Sequence, residues 1–99
     1  MFIIYGLDYC PYCIKSVQLL NMHNIPHQIT WIKDIEKNTY KKKHKMSTFP
    51  QIFYKLSPKN KKMVKIGGFD DLEKIFLVAK VVNQQSLDIR ALNFISKNI

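Results

Sequence analysis

Apolar and polar positions along the chain switch between two periods. Phe2 to Leu7 is a continuous apolar run rich in β-forming residues and reads as a buried strand. From Tyr12 to about Asn24 the period becomes helical. Ile14, Val17 and Leu20 form one stripe with Leu19 on the adjoining row, and Lys15, Gln18 and Asn21 face elsewhere. Asn24 and Pro26 stop that helix. His27 to Ile32 alternates, with His27, Ile29 and Trp31 set against Gln28, Thr30 and Ile32, which predicts a second strand. With a helix between them, the two strands should lie parallel in a right-handed βαβ unit.

Lys33 to Met46 is polar and lysine-rich, with Ile35, Tyr40 and Met46 as its apolar anchors, and predicts a short second helix. Gln51 to Tyr54 and Met63 to Ile66 read as two further strands, joined as a hairpin through the turn-rich Leu56 to Asn60. Gly67 and Gly68 break the chain. Asp70 and Asp71 then stand at the start of a helix from Leu72 to about Val82, where acidic side chains suit the helix dipole. After a break at Asn83 to Gln85, Ser86 reads as the N-cap of a last helix from Leu87 to about Ser96. The order β-α-β-α-β-β-α plus an extra C-terminal helix predicts an α/β domain over residues 1–99. Its four-stranded mixed sheet should carry helices on both faces.

Composition narrows the class. Of the 99 residues, 46% are hydrophobic, which is globular and not disordered. No apolar run approaches the roughly 18 residues of a membrane span, and Met1 to Leu7 lacks the basic and apolar regions of a signal peptide. Two cysteines in one C-x-x-C do not make a secreted disulfide framework, so a cytoplasmic location is expected. The net charge of +9 is concentrated in Lys41-Lys42-Lys43-His44-Lys45 and Lys59-Asn60-Lys61-Lys62. These runs read as solvated faces or as a means of steering anionic substrates. Aromatic residues are not interleaved with the lysines as a nucleic-acid stacking platform requires, which argues against nucleic acid.

The chemistry lies in Cys10-Pro11-Tyr12-Cys13, directly after the first strand. Cys10 falls at the helix N-terminus, where free N–H groups and the positive dipole end stabilise a thiolate. Pro11 suits the first turn, where its missing N–H costs nothing. Cys13 is one turn deeper, within disulfide reach. A zinc site would need two more ligands at motif spacing, and His23, His27 and His44 are scattered, so no metal is expected.

Three segments, Cys10-Pro11-Tyr12-Cys13, Thr48-Phe49-Pro50-Gln51 and Gly67-Gly68-Phe69-Asp70-Asp71, in this order and spacing, resemble the glutaredoxin family of the thioredoxin fold. The resemblance spans roughly residues 2–80. Thioredoxins instead carry Trp before the first cysteine, where Tyr9 stands here, and Gly-Pro between the cysteines.

The resemblance implies a glutathione-dependent thiol–disulfide oxidoreductase, with glutathione as co-substrate and disulfide-containing or glutathionylated proteins as partners. Cys10 would be the nucleophile and Cys13 the resolving thiol. Tyr12 and Thr48 would line the glutathione groove. Pro50 would be cis, presenting the backbone of Phe49 to the cysteine of glutathione as an added strand does. Gly68, Phe69, Asp70 and Asp71 would hold the γ-glutamyl end, with backbone N–H groups on its carboxylate and Asp71 on its ammonium. Lys37 falls where a contact to the glycine carboxylate is common. Leu7 replaces a frequent Lys or Arg, Phe49 a usual Val, and Phe69 a frequent Cys. Family potentials near roughly −200 to −230 mV would match a cytosolic glutathione pool. Two other readings compete: a redoxin reduced by thioredoxin reductase, which the missing charge at Leu7 would suit, and an iron–sulfur cluster carrier, which the stiffening Pro11 disfavours.

Overall fold

The computed structural model describes residues 1–55, 59 and 62–79, the last three by backbone alone. Its elements run β1 (Phe2–Gly6), α1 (Pro11–Met22), β2 (His27–Trp31), a 3-10 turn (Asp34–Glu36), α2 (Lys37–His44), β3 (Gln51–Lys55), β4 (Met63–Gly67) and α3 (Phe69–Ala79). The strand order is β2-β1-β3-β4. β1 and β2 are parallel, and β1–β3 and β3–β4 are antiparallel, so the sheet is four-stranded and mixed, as expected. The predicted last helix, most of the predicted turn between β3 and β4, and the end of α3 lie outside the described residues.

Side chains of β1 alternate between two faces. Phe2 and Ile4, both 0% exposed, join Leu20 of α1, Ile52 and Tyr54 of β3 and Leu72, Ile75 and Phe76 of α3 in the main core. Truncating a buried residue such as Ile4 to alanine typically costs about 2–5 kcal/mol. Ile3 and Tyr5 face the other way, where Tyr5 and Phe53 pack against Tyr40 and His44 of α2. Helices therefore cover both faces.

Several local readings need correction. The short helix expected within Lys33 to Met46 is present as α2, but a 3-10 turn precedes it, in which Glu36 accepts from the backbone N–H of Lys33. Ile35 does not anchor it, being 90% exposed. On α1 the buried positions are Cys13, Ser16 and Leu20, with Val17 packed beside them, whereas Ile14 is exposed. Ser16 can sit in the core because its hydroxyl donates to the carbonyl of Tyr12 at 2.8 Å. Trp31 is partly exposed, with its ring lying against Gly6, and Ile32 beyond the strand end is buried. α3 starts at Phe69, three residues ahead of the expected Leu72.

Candidate active site

β1 ends at Gly6, and the chain turns through Leu7 to Cys10 before α1 starts at Pro11. The N–H of Cys10 donates to the Leu7 carbonyl at 3.0 Å and closes this turn. Cys10 is the N-cap of α1, in extended conformation, with Pro11 in the first helical turn. Its sulfur accepts from the N–H of Cys13 at 3.4 Å, as a serine oxygen would at a helix start. Negative charge on that sulfur meets the donor end of α1.

The two sulfurs are differently placed. Both are free thiols, Cys10 half-exposed and Cys13 buried. Cys13 lies against Gly6, where an added Cβ would fall 3.1 Å from the Cys13 Cβ, so a larger residue would press on the redox pair. The Cys13 sulfur accepts from the N–H of Leu7 at 3.5 Å. Burial first, and the hydrogen bond with Cys10 second, push the Cys13 thiol up to about 12. Leu7, at the position of the missing charge, is itself buried.

The loop before β3 supplies the second part. The Phe49–Pro50 peptide is cis, as the resemblance implies. The Cys10 thiol faces the Phe49 carbonyl oxygen at 3.8 Å. Pro50 is fully buried, and so is Gln51 after it.

The third part is the turn from β4 into α3. Gly67 has φ +130°, a conformation left to glycine. The Asp71 carboxylate accepts from the N–H of Gly68 at 3.0 Å. A Cβ on Gly67 would collide with that carboxylate. The N–H groups of Phe69, Asp70 and Asp71 open α3 and have no carbonyl one turn earlier to meet.

These parts enclose a cavity of about 340 Å³. Tyr12 of α1 and Thr48, Phe49 and Pro50 of the loop form one side of its lining. Gly68, Phe69, Asp70 and Asp71 form the other. The rings of Tyr12 and Phe69 approach to 5.8 Å between centroids. Eight of the residues singled out in the sequence thus line one cavity. Lys37 is not among them. It pairs with Asp34 at 3.1 Å and lies over the ring of Tyr9, whose hydroxyl donates to the same carboxylate.

One supporting contact carries no signal in the residue pattern. His44 Nδ1 donates to the Gln51 side-chain oxygen at 2.7 Å, and the Gln51 amide donates to the Met46 carbonyl at 3.4 Å. Because the Gln51 nitrogen is a donor, its oxygen is the acceptor, which fixes the proton on Nδ1. The pair ties the end of α2 to the start of β3 and brackets the loop 45–50. Tyr5 and Phe53, each with ring centroids 4.7 Å from His44, hold the imidazole in place.

A parallel β1-α1-β2 unit followed by an antiparallel β3-β4 hairpin and a helix, with a C-x-x-C at the first strand–helix junction, defines a thioredoxin-like α/β fold. Solved structures agree. The solution structure of glutaredoxin from Brucella melitensis has a TM-score of 0.59 at 26% identity, covering 80% of each chain. The holo form of glutaredoxin C1 from Populus tremula x tremuloides reaches 0.63 at 16% identity, over 91% of this chain and 78% of that one, and speaks for the fold alone. A family model described as Glutaredoxin matches residues 2–56. Glutaredoxin 1 of Rickettsia prowazekii is 38% identical over 74 residues, 71% of this chain and 70% of that protein. Glutaredoxin 1 of Rickettsia typhi is 36% identical over 74 residues, 71% of this chain and 64% of that protein. The chain belongs to the glutaredoxin family, and family and fold together make it a thiol–disulfide oxidoreductase.

Proposed function

We propose that the protein is a dithiol glutaredoxin that reduces protein disulfides and glutathione mixed disulfides at the expense of glutathione, in the cytoplasm. The observation that carries this reading is the half-exposed Cys10 sulfur at the α1 N-terminus, 3.8 Å from the Phe49 carbonyl at the edge of the cavity. Cys10 attacks as thiolate. Its negative charge is stabilised by the Cys13 N–H and the helix end. One substrate sulfur bonds to Cys10 and the other leaves.

Cys13 acts second. Buried and protonated, it does not compete for substrate, and it reaches Cys10 from one turn deeper in α1. Its attack on Cys10 releases the reduced substrate and leaves a Cys10–Cys13 disulfide. One glutathione then opens that bond through a Cys10–glutathione intermediate, and a second completes the reduction.

In the bound state the glutathione cysteine pairs with the Phe49 backbone as an added strand. The γ-glutamyl carboxylate takes the first-turn N–H groups of α3, and its ammonium faces Asp71. Tyr12 and Phe69 flank the chain of the peptide, and Thr48 lines the floor beside Phe49. Lys37 meets the glycine carboxylate by exchanging its contact with Asp34.

The test is a glutathione-coupled mixed-disulfide assay on wild type, Cys10→Ser and Cys13→Ser. Cys10→Ser should lose turnover, and Cys13→Ser should keep deglutathionylation while losing reduction of protein disulfides. Full turnover by Cys10→Ser would end the proposal. Turnover supported by thioredoxin reductase but not by glutathione would replace it with the redoxin reading.

A further inference from the structure

A second depression lies beside the cavity. It is about 410 Å³ and is lined by Lys41, Lys42, Lys45, Met46 and Ser47. Ser47 is joined directly to Thr48, which lines the first cavity together with Phe49, so the two hollows adjoin along one stretch of backbone. The surface of this hollow is mostly apolar, supplied by Met46 and by lysine stems whose ammonium ends stay in water.

The charge around it is of one sign. Lys37, Lys41 and Lys45 recur at four-residue spacing and so share one side of α2 and its cap, with Lys42 next to them. α2 itself has no acidic residue. Asp34 and Glu36 precede it. Asp34 is taken by Lys37 and Tyr9, and Glu36 by the Lys33 N–H. Among the described residues, none of Lys41, Lys42 and Lys45 makes an ion pair. Lys65 adds to the edge, its ammonium donating to the Lys45 carbonyl at 3.4 Å.

We infer that this groove is the docking surface for protein substrates, and that it takes an extended, acidic segment flanking the substrate disulfide. An apolar floor with a lysine rim favours a segment that mixes carboxylates with apolar side chains, and complementary charge speeds such encounters. The reach fits. From Met46 to Phe49 is three residue steps, at most about 11 Å of chain, and Phe49 O lies 3.8 Å from the Cys10 sulfur. An extended segment therefore carries its acidic residues within about five positions of the attacked cysteine, at about 3.3 Å per residue.

The inference rests on Cys10 being the attacking sulfur. The step it serves is balanced by the two thiols themselves. Cys10 attacks one sulfur of the substrate disulfide, and the other leaves and takes a proton. As Cys13 attacks Cys10, its proton passes to the first substrate sulfur, which leaves as a thiol. The substrate gains two electrons and two protons, and Cys10 and Cys13 become a disulfide.

The experiment is single-turnover oxidation of the pre-reduced protein, without glutathione, by two synthetic disulfide-looped peptides. One carries aspartates three to five positions outside the loop, and the other asparagines there. At low salt the acidic peptide should react about tenfold faster, and high salt should remove the difference. Lys41→Glu/Lys42→Glu should abolish the preference while leaving the asparagine peptide and a small glutathione mixed disulfide unaffected. Lys55→Glu/Lys74→Glu, an equal change of charge elsewhere, should retain it. Lys41→Gln/Lys42→Gln serves where charge reversal unravels α2, and should likewise lose the preference. Equal rates for the two peptides, or a preference that survives in both Lys41/Lys42 variants, would overturn the inference. Failure of every disulfide, the small one included, would instead indict Cys10 as nucleophile.

Discussion

The backbone N–H of Cys13 points at the sulfur of Cys10 from 3.4 Å, while the sulfur of Cys13 turns inward to the N–H of Leu7 at 3.5 Å. One turn of helix thus gives two identical side chains opposite surroundings. The outer sulfur has a donor and an opening. The inner one has burial and no route to solvent.

Alkylation should therefore discriminate between them. In native protein near neutral pH, iodoacetamide should label Cys10 and leave Cys13 unlabelled, since thiolate and not thiol is the reactive form and Cys13 is held protonated and out of reach. Both should react equally once the protein is unfolded. Peptide mapping after a timed quench reads the result, and rapid native labelling of Cys13 would contradict the geometry.

The raised Cys13 value also has a consequence for stability. The unfolded thiol ionises near 9.0 and the folded one near about 12. Below the lower value both states bind the proton, and the contribution of Cys13 is fully present. As pH rises through this window the unfolded state loses its proton first, so stability falls. Urea unfolding of reduced protein at neutral pH and in that alkaline window should show a steeper loss for wild type than for Cys13→Ala. Parallel losses would mean the inner thiol is not held in its neutral form.

His44 and Gln51 supply a prediction away from the sulfurs. Gln51 is fully buried, so His44→Ala leaves its oxygen without a partner, at a cost of about 1–3 kcal/mol. His44→Asn, which keeps a side-chain N–H, should recover part of that loss. Denaturant midpoints compare the three proteins. KM for a glutathione mixed disulfide should rise with His44→Ala, because the loop carrying Phe49 and Pro50 has lost one of its ties.

The reach of the sequence is uneven for physical reasons. Strand, C-x-x-C and helix are local features, and Cys10 stood at its helix cap as periodicity and capping rules require. The residues opposite, Thr48 to Pro50 and Gly68 to Asp71, are joined to Cys10 only through the sheet, and resemblance alone brought them together. His44 was lost among scattered histidines because its role depends on how α2 ends. Lys45 closes the helix in a left-handed conformation with φ 53°, a place where glycine or asparagine would have given a signal. The same absence of punctuation hid the break between the 3-10 turn and α2. Ile35 looked like a core anchor because hydrophobicity marks what can be buried, not what a neighbour is present to cover.

The most direct measurement of the central claim is trapping. Cys13→Ser protein is exposed to oxidised glutathione, quenched with acid and mapped by mass spectrometry. The account predicts one glutathionyl group, on Cys10, removed again by reduced glutathione. In wild type the same treatment should end in a Cys10–Cys13 disulfide. A Cys10 that stays unmodified while the protein remains folded would contradict it.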